Sequence, residues 1–178
     1  GRGASDINNA AEVGVIEQLR QQLGDRSLFP VHRLDRVTSG LLLVAKGERS
    51  TSELSQLFQN RTIQKYYLAL ATKKPKKKQG TIKGDMKSAR NGAWMLVKDC
   101  ENPAVTQFFS HGLGDGVRCF FVKPLTGKTH QIRVALKSLG APILGDVKYG
   151  GSSSDRAYLH AYGLDFQFRG QDFSFRCV

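Results

Sequence analysis

The chain has 178 residues, 40% hydrophobic and 24% charged, a composition that excludes disordered and fibrous classes and suits one folded domain. Its 27 Lys and Arg outnumber 15 Asp and Glu, leaving a formal net charge of +12. Such an excess favours nucleic acid over an anionic membrane as partner, because each neutralised phosphate releases condensed counterions, and the longest purely aliphatic run, 41–45, is far too short to span a bilayer.

Ile16, Leu19 and Leu23 recur at helical spacing before a stop at Gly24, which predicts an amphipathic first helix. Beyond a turn at Pro30, the polar stretch 31–40 runs into 41–45, read as a strand buried on both faces. Ser50 and Glu53 have capping-box spacing and predict a helix carrying Leu54, Leu57 and Phe58 on its apolar side. Residues 62–72 read as a strand with Lys65, Tyr67 and Ala69 on one face and Tyr66, Leu68 and Leu70 on the other. The lysine-rich 73–80 is a basic turn, and short strands are expected at 81–86, 94–98, 104–109 and 117–122. A helix over 128–139 has Ile132, Ala135, Leu136 and Leu139 as its stripe, ended by Gly140 and Pro142. Phe166 and Phe168, a turn at Arg169-Gly170, then Phe173, Phe175 and Cys177 predict a closing hairpin. Many strands with separated helices indicate an α+β fold with a mixed, mainly antiparallel sheet.

The odd number of separated cysteines (Cys100, Cys119, Cys177) and the lack of an apolar leader at the start point to a reduced, cytoplasmic protein. Gly127-Lys128-Thr129 is no P-loop, since Val122 stands where that loop needs a glycine. His32, His111, His130 and His160 show no metal-site spacing. A metal-dependent nuclease therefore finds no ligand cluster.

Four features put polar groups beside apolar runs. Asp35, in His32-Arg33-Leu34-Asp35-Arg36, lies at the mouth of the apolar segment; Arg133 sits next to the stripe of its helix and is able to grip a carboxylate with two prongs. Tyr67 is placed to stack on a base or exchange a proton, and the backbone and Lys128 at 126–130 suit a phosphate. Each has a plainer reading: a turn cap for Asp35, surface charges for Arg33 and Arg36, a flanking salt bridge for Arg133, a core residue for Tyr67, scaffolding for His32 and His130, and non-specific attraction for 73–78.

Their combination resembles the RluA-type family of RNA pseudouridine synthases. The resemblance rests on the segment from His32 through Asp35 to Thr38-Ser39-Gly40, on Ile63-Gln64-Lys65-Tyr66-Tyr67, on Pro103-Ala104-Val105-Thr106 and on Pro124 through Gly127-Lys128-Thr129-His130-Gln131-Ile132-Arg133. Further similar blocks are Pro142-Ile143-Leu144-Gly145-Asp146 with Tyr149-Gly150, and Leu159-His160-Ala161. The resemblance implies the fold of those enzymes and isomerisation of uridines in ribosomal or transfer RNA, with no cofactor, metal, membrane or obligate protein partner. It makes Asp35 the catalytic carboxylate, as nucleophile or stabiliser of the sugar cation, Arg133 its salt-bridge partner, and Tyr67 the residue near the target uracil. Arg36 takes the place of an Arg that enters the RNA stack. Arg33, Lys65, Lys128 and the lysines Lys73, Lys74, Lys76, Lys77 and Lys78 are assigned to RNA, and His32, Thr38, His130 and Gln131 to support of the site.

The family's early K-P-x-G segment is absent, as is any S4-type RNA-binding module. Residues 1–178 are accordingly expected to form a single catalytic domain short of that segment, recognising RNA without a second module. The rival expectation is a catalytically inactive RNA-binding or RNA-folding module of the same fold.

Overall fold

The structure, a computed structural model, describes residues 4–178, with side chains from residue 14 onward. Among the described residues, three α-helices, α1 (Ala4–Leu23), α2 (Glu48–Gln59) and α3 (Gln131–Ser138), accompany ten strands. The strands are β1 (Leu28–Pro30), β2 (Ser39–Gly40), β3 (Val44–Lys46), β4 (Gln64–Ala71), β5 (Gln79–Ser88), β6 (Trp94–Val97), β7 (Ala104–Gly114), β8 (Val117–Pro124), β9 (Leu159–Phe168) and β10 (Gln171–Arg176). The main sheet runs β10-β9-β4-β8-β7-β5-β6, and β2 pairs with β9 in parallel while the other pairings are antiparallel. This is the expected α+β architecture.

One sheet face carries two separate cores. Ala69, Ala71, Phe108, Phe120 and Val122 meet Ile132, Ala135, Leu136 and Leu139 of α3. Leu164 and Phe166 of β9 meet Val31, Ala45 and Leu54, with Leu57 and Phe58 of α2 packed alongside. Both sets share a face because β9 has a bulge: Tyr66 pairs with Gly163 but Tyr67 with Ala161, so Tyr162 is an extra residue. The bulge resets the alternation, letting Ala161 and Leu164 point the same way across an odd spacing.

Three local expectations change. Residues 41–43 are not a strand buried on both faces: their side chains are half-buried and regular pairing resumes only at Val44. The Leu41 N–H donates to Ala161 O and the Leu43 N–H to His32 Nε2, so this backbone is committed to two different partners. Helix α2 begins at Glu48 behind Gly47 rather than at a Ser50–Glu53 box. Glu53 instead accepts from Arg49 and Arg169, and Ser50 Oγ accepts from Arg169. The helix expected over 128–139 starts at Gln131, because His130 takes a left-handed conformation at φ 56°. The closing hairpin turns at Arg169-Gly170 as expected, with Phe166 opposite Phe173 and their rings stacked at 5.3 Å.

Gly40 requires its lack of a side chain. Its φ is 111°, and a Cβ there would collide with the Ala161 carbonyl of the paired strand. Gly40→Ala is expected to lower stability by about 2 kcal/mol. A urea midpoint that falls at unchanged slope would report this.

Candidate active site

Between the two cores lies a cleft of about 800 Å³. Its floor is Lys65 and Tyr67 of β4, and its sides are the 31–35 segment, Ser55 and Phe58 of α2, the β5–β6 turn with Trp94, and 127–130. Asp35, Tyr67, Lys65, Lys128, Arg33 and His130 thus share one cavity.

The segment bearing Asp35 belongs to the connection between β1 and β3, which pair with each other. It is pinned at several points. Thr38 N–H donates to Asp35 O at 2.8 Å, closing a turn, and Ser39-Gly40 then pairs with His160-Ala161. His32 stacks on Phe58 with centroids 4.4 Å apart, and its Nε2 accepts from Leu43 N–H at 2.7 Å. Burial, aided by the Lys65 charge, pushes the His32 pKa down to about 4. The ring is therefore a neutral acceptor holding two parts of the loop together.

The charge of Asp35 acts on groups from three directions: Tyr67 on β4, His130 and Arg133 around the start of α3, and Tyr149. Burial, and then Asp35, raise the Tyr67 pKa to about 12, so its phenol keeps its proton at neutral pH. Burial, and then Arg61, lower that of Lys65.

Arg133 does not make the expected salt bridge with Asp35. Its Nε and Nη2 donate to the two carboxylate oxygens of Asp146, each at 2.9 Å, and both residues are buried. Burial opposes the guanidinium charge, but the Asp146 bonds more than offset it, and Arg133 holds its proton more firmly than usual. Tyr149 lies beneath the guanidinium, 4.9 Å from centre to ring. Its hydroxyl sits 2.6 Å from His130 Nδ1 and accepts from the Trp94 N–H at 2.9 Å. Burial, and then Arg133, lower the His130 pKa.

Gln131 ties the start of α3 to β7 and to the 126–128 turn. Its Oε1 accepts from Thr126 Oγ1 and the Lys128 N–H, and its Nε2 donates to Val105 O and Thr106 Oγ1. One of the backbone donors expected to serve a phosphate, that of Lys128, is thereby taken. Lys128 itself still lines the cleft, and Thr38 lines its inner recess. Arg36 is exposed and outside the cleft lining, whereas Arg33 is part of it. Lys73, Lys74, Lys76, Lys77 and Lys78 lie beyond the end of β4 opposite Lys65, away from the cleft.

Asp146, Tyr149 and Trp94 were not singled out from sequence. Asp146 and Tyr149 fall within a motif block whose local spacing gives no hint that they reach Arg133 and His130. The single Trp sits in a short strand without periodic signal. Among the described residues no group of three or more His, Cys, Asp or Glu is arranged to hold a metal ion, and no helix is long and apolar enough to cross a membrane.

The RNA pseudouridylate synthase family profile matches residues 4–138. An uncharacterized RNA pseudouridine synthase of Haemophilus influenzae is 49% identical over 99% of this chain and 80% of its own length. Ribosomal large subunit pseudouridine synthase C of Rickettsia bellii is 34% identical over 92% of this chain, which spans only 56% of that relative. Among solved structures, Human RNA Pseudouridylate Synthase Domain Containing 1 matches with a TM-score of 0.77 at 31% identity, over 90% of this chain and 72% of that one.

Three variants test these contacts. Because His32 has its pKa depressed from 6.5 to about 4 in the folded state, its contribution is complete above pH 6.5 and lost as pH falls through about 4. Urea titrations at pH 7 and pH 4 should show the wild type losing about 1–3 kcal/mol more than His32→Gln over that interval. Asp146→Asn strands a buried guanidinium and should cost about 3–5 kcal/mol in the same assay. Arg133→Lys is also expected to destabilise, since one ammonium cannot replace the paired bonds.

Proposed function

The chain belongs to the RNA pseudouridylate synthase family, and from that premise we propose that it converts uridine to pseudouridine in RNA as a single catalytic domain, with Asp35 as the reacting carboxylate. The observation that carries the assignment is the convergence of Tyr67, His130, Arg133 and Tyr149 within the field of Asp35, in a basic cleft.

The reaction detaches uracil from C1′ of its ribose, turns the base and joins C5 to C1′. The proton on C5 leaves and N1 gains one, so the change is redox-neutral and nothing is consumed. Asp35 serves this chemistry by bonding to the sugar carbon or by stabilising its positive charge. Tyr67, protonated and beside Asp35, offers a ring for the uracil to rest on and a hydroxyl that donates. Arg133 feels the charge of Asp35 across the site, while its hydrogen bonds remain with Asp146. A uridine in a duplex must leave the stack to enter the cleft, at a cost of about a few kcal/mol. Arg33 and Lys128 on the sides of the cleft and Lys65 on its floor offset that cost through the phosphates. Arg36, exposed next to Asp35, is assigned to RNA outside the cleft.

Ribosomal RNA of the large subunit is the substrate class we favour over transfer RNA, supported by the names of the relatives that match over 92% of this chain. The corresponding place of action is the cytoplasm. Asp35→Asn should abolish tritium release from RNA labelled at uridine C5 while leaving RNA affinity within about twofold. Full turnover by that variant would remove Asp35 from the reaction.

A further inference from the structure

The sheet has a second face, turned away from the cleft. Cross-strand partners share a face, so Phe109, opposite Phe121, stands on the reverse side from Phe108 and Phe120 of the core. Phe109 is 47% exposed. Its ring lies on that of Phe121 with centroids 4.7 Å apart and planes 10° from parallel, and His111 meets Phe109 edge-on at 5.8 Å. Flat aromatic surface held open on adjacent strands is the arrangement on which unpaired bases stack.

The charges around these rings are positive. Gln79 pairs with Phe109, and Ser110 Oγ donates to Lys78 O at 2.7 Å, so the lysine run ends at the rim of the ring cluster. Lys83 and Lys123 stand on the same face, partnered across strands with Val105 and with Gln107. Near the rings, Asp85 is engaged by the N–H groups of Glu101 and Asn102; further along the face Asp165 is held by Arg176 and Ser174, and Asp172 stands on the far edge strand β10, four strands from β7. Finally, β6 pairs only with residues 85–88 of β5, leaving the 79–83 stretch as an open edge between the two faces.

We propose that this reverse face is a second RNA-binding surface, which takes single-stranded RNA by stacking bases on Phe109 and Phe121 and placing phosphates against Lys77, Lys78, Lys83 and Lys123. A duplex hides the faces of its bases and gains nothing from the rings. A protein partner would cover the apolar surface, but it would face lysines with no free acid beside them, which favours the polyanion. The lysine run thereby acquires a location, one edge away from the cleft. The surface does not depend on catalysis in the cleft.

The test uses fluorescence anisotropy with a labelled single-stranded RNA of about 12 nucleotides and a duplex of equal length. Phe109→Ser should weaken single-strand binding about tenfold, the scale of one lost base stack, and leave duplex binding unchanged. The pair Lys77→Glu with Lys78→Glu should lower the slope of log affinity against log salt by about 1–2. Thermal melts of both variants guard against misfolding, and a stem-loop filling only the cleft should be turned over by Phe109→Ser as by the wild type. Unchanged single-strand affinity in both variants overturns the proposal. So does sedimentation showing a wild-type dimer that Phe109→Ser dissolves without loss of RNA affinity, which would make the face an interface between copies. If no RNA is turned over but Phe109→Ser still loses single-strand binding, the surface stands and the catalytic reading falls.

Discussion

A guanidinium buried beside the sheet is tolerable only if its charge and its donors are met, and Asp146 meets them with two bonds. That requirement organises the whole stretch from Gln131 to Tyr149. The chain leaves α3 through Gly140, crosses to pair Ala71 with Ile143, and turns at Gly145 so that Asp146 returns beneath Arg133. Tyr149 then lies against the guanidinium, and its hydroxyl joins His130 to the backbone of Trp94. The β5–β6 turn is thus held to the start of α3, and the cleft has two fixed walls where a loop and a hairpin tip would otherwise move independently.

The cleft exists because the sheet is covered twice, not once. Helix α3 packs over β4, β7 and β8, while α2 and the β1–β3 ribbon pack over β9 and β10. The bulge at Tyr162 keeps both coverings on one face, and the floor between them is left to Lys65 and Tyr67. These are polar residues on a strand whose continuation, Ala69 and Ala71, is fully buried. The same side of one strand therefore serves as core at one end and as cleft floor at the other.

Much of this was legible because it follows from local rules. Strand β4, the stripe of α3 and the hairpin at Arg169-Gly170 follow from spacing and turn chemistry, and Tyr67 falls on the cleft side by strand alternation alone. What was not legible depended on distant partners. Nothing in the neighbourhood of Arg133 distinguishes Asp35 from Asp146, since both are reached only through the fold. The 41–43 run looks like a buried strand until His32 and Ala161 claim its N–H groups. Ser50 and Glu53 look like a cap until Arg169, more than a hundred residues later, binds both. Long-range hydrogen bonds outbid local preference in each case.

The joint between Ser39-Gly40 and His160-Ala161 also sets an order in time. Ser39 Oγ meets His160 Nδ1 at 2.8 Å across a separation of 121 residues, and His160 Nε2 in turn contacts Cys177 O. During synthesis from the N-terminus, the Asp35 segment is made early, but its anchor is made late. Closing so long a loop is slow relative to local folding. The Asp35 segment therefore gains its anchor only after β9 has been made, and the shape of the cleft is completed by the last third of the chain.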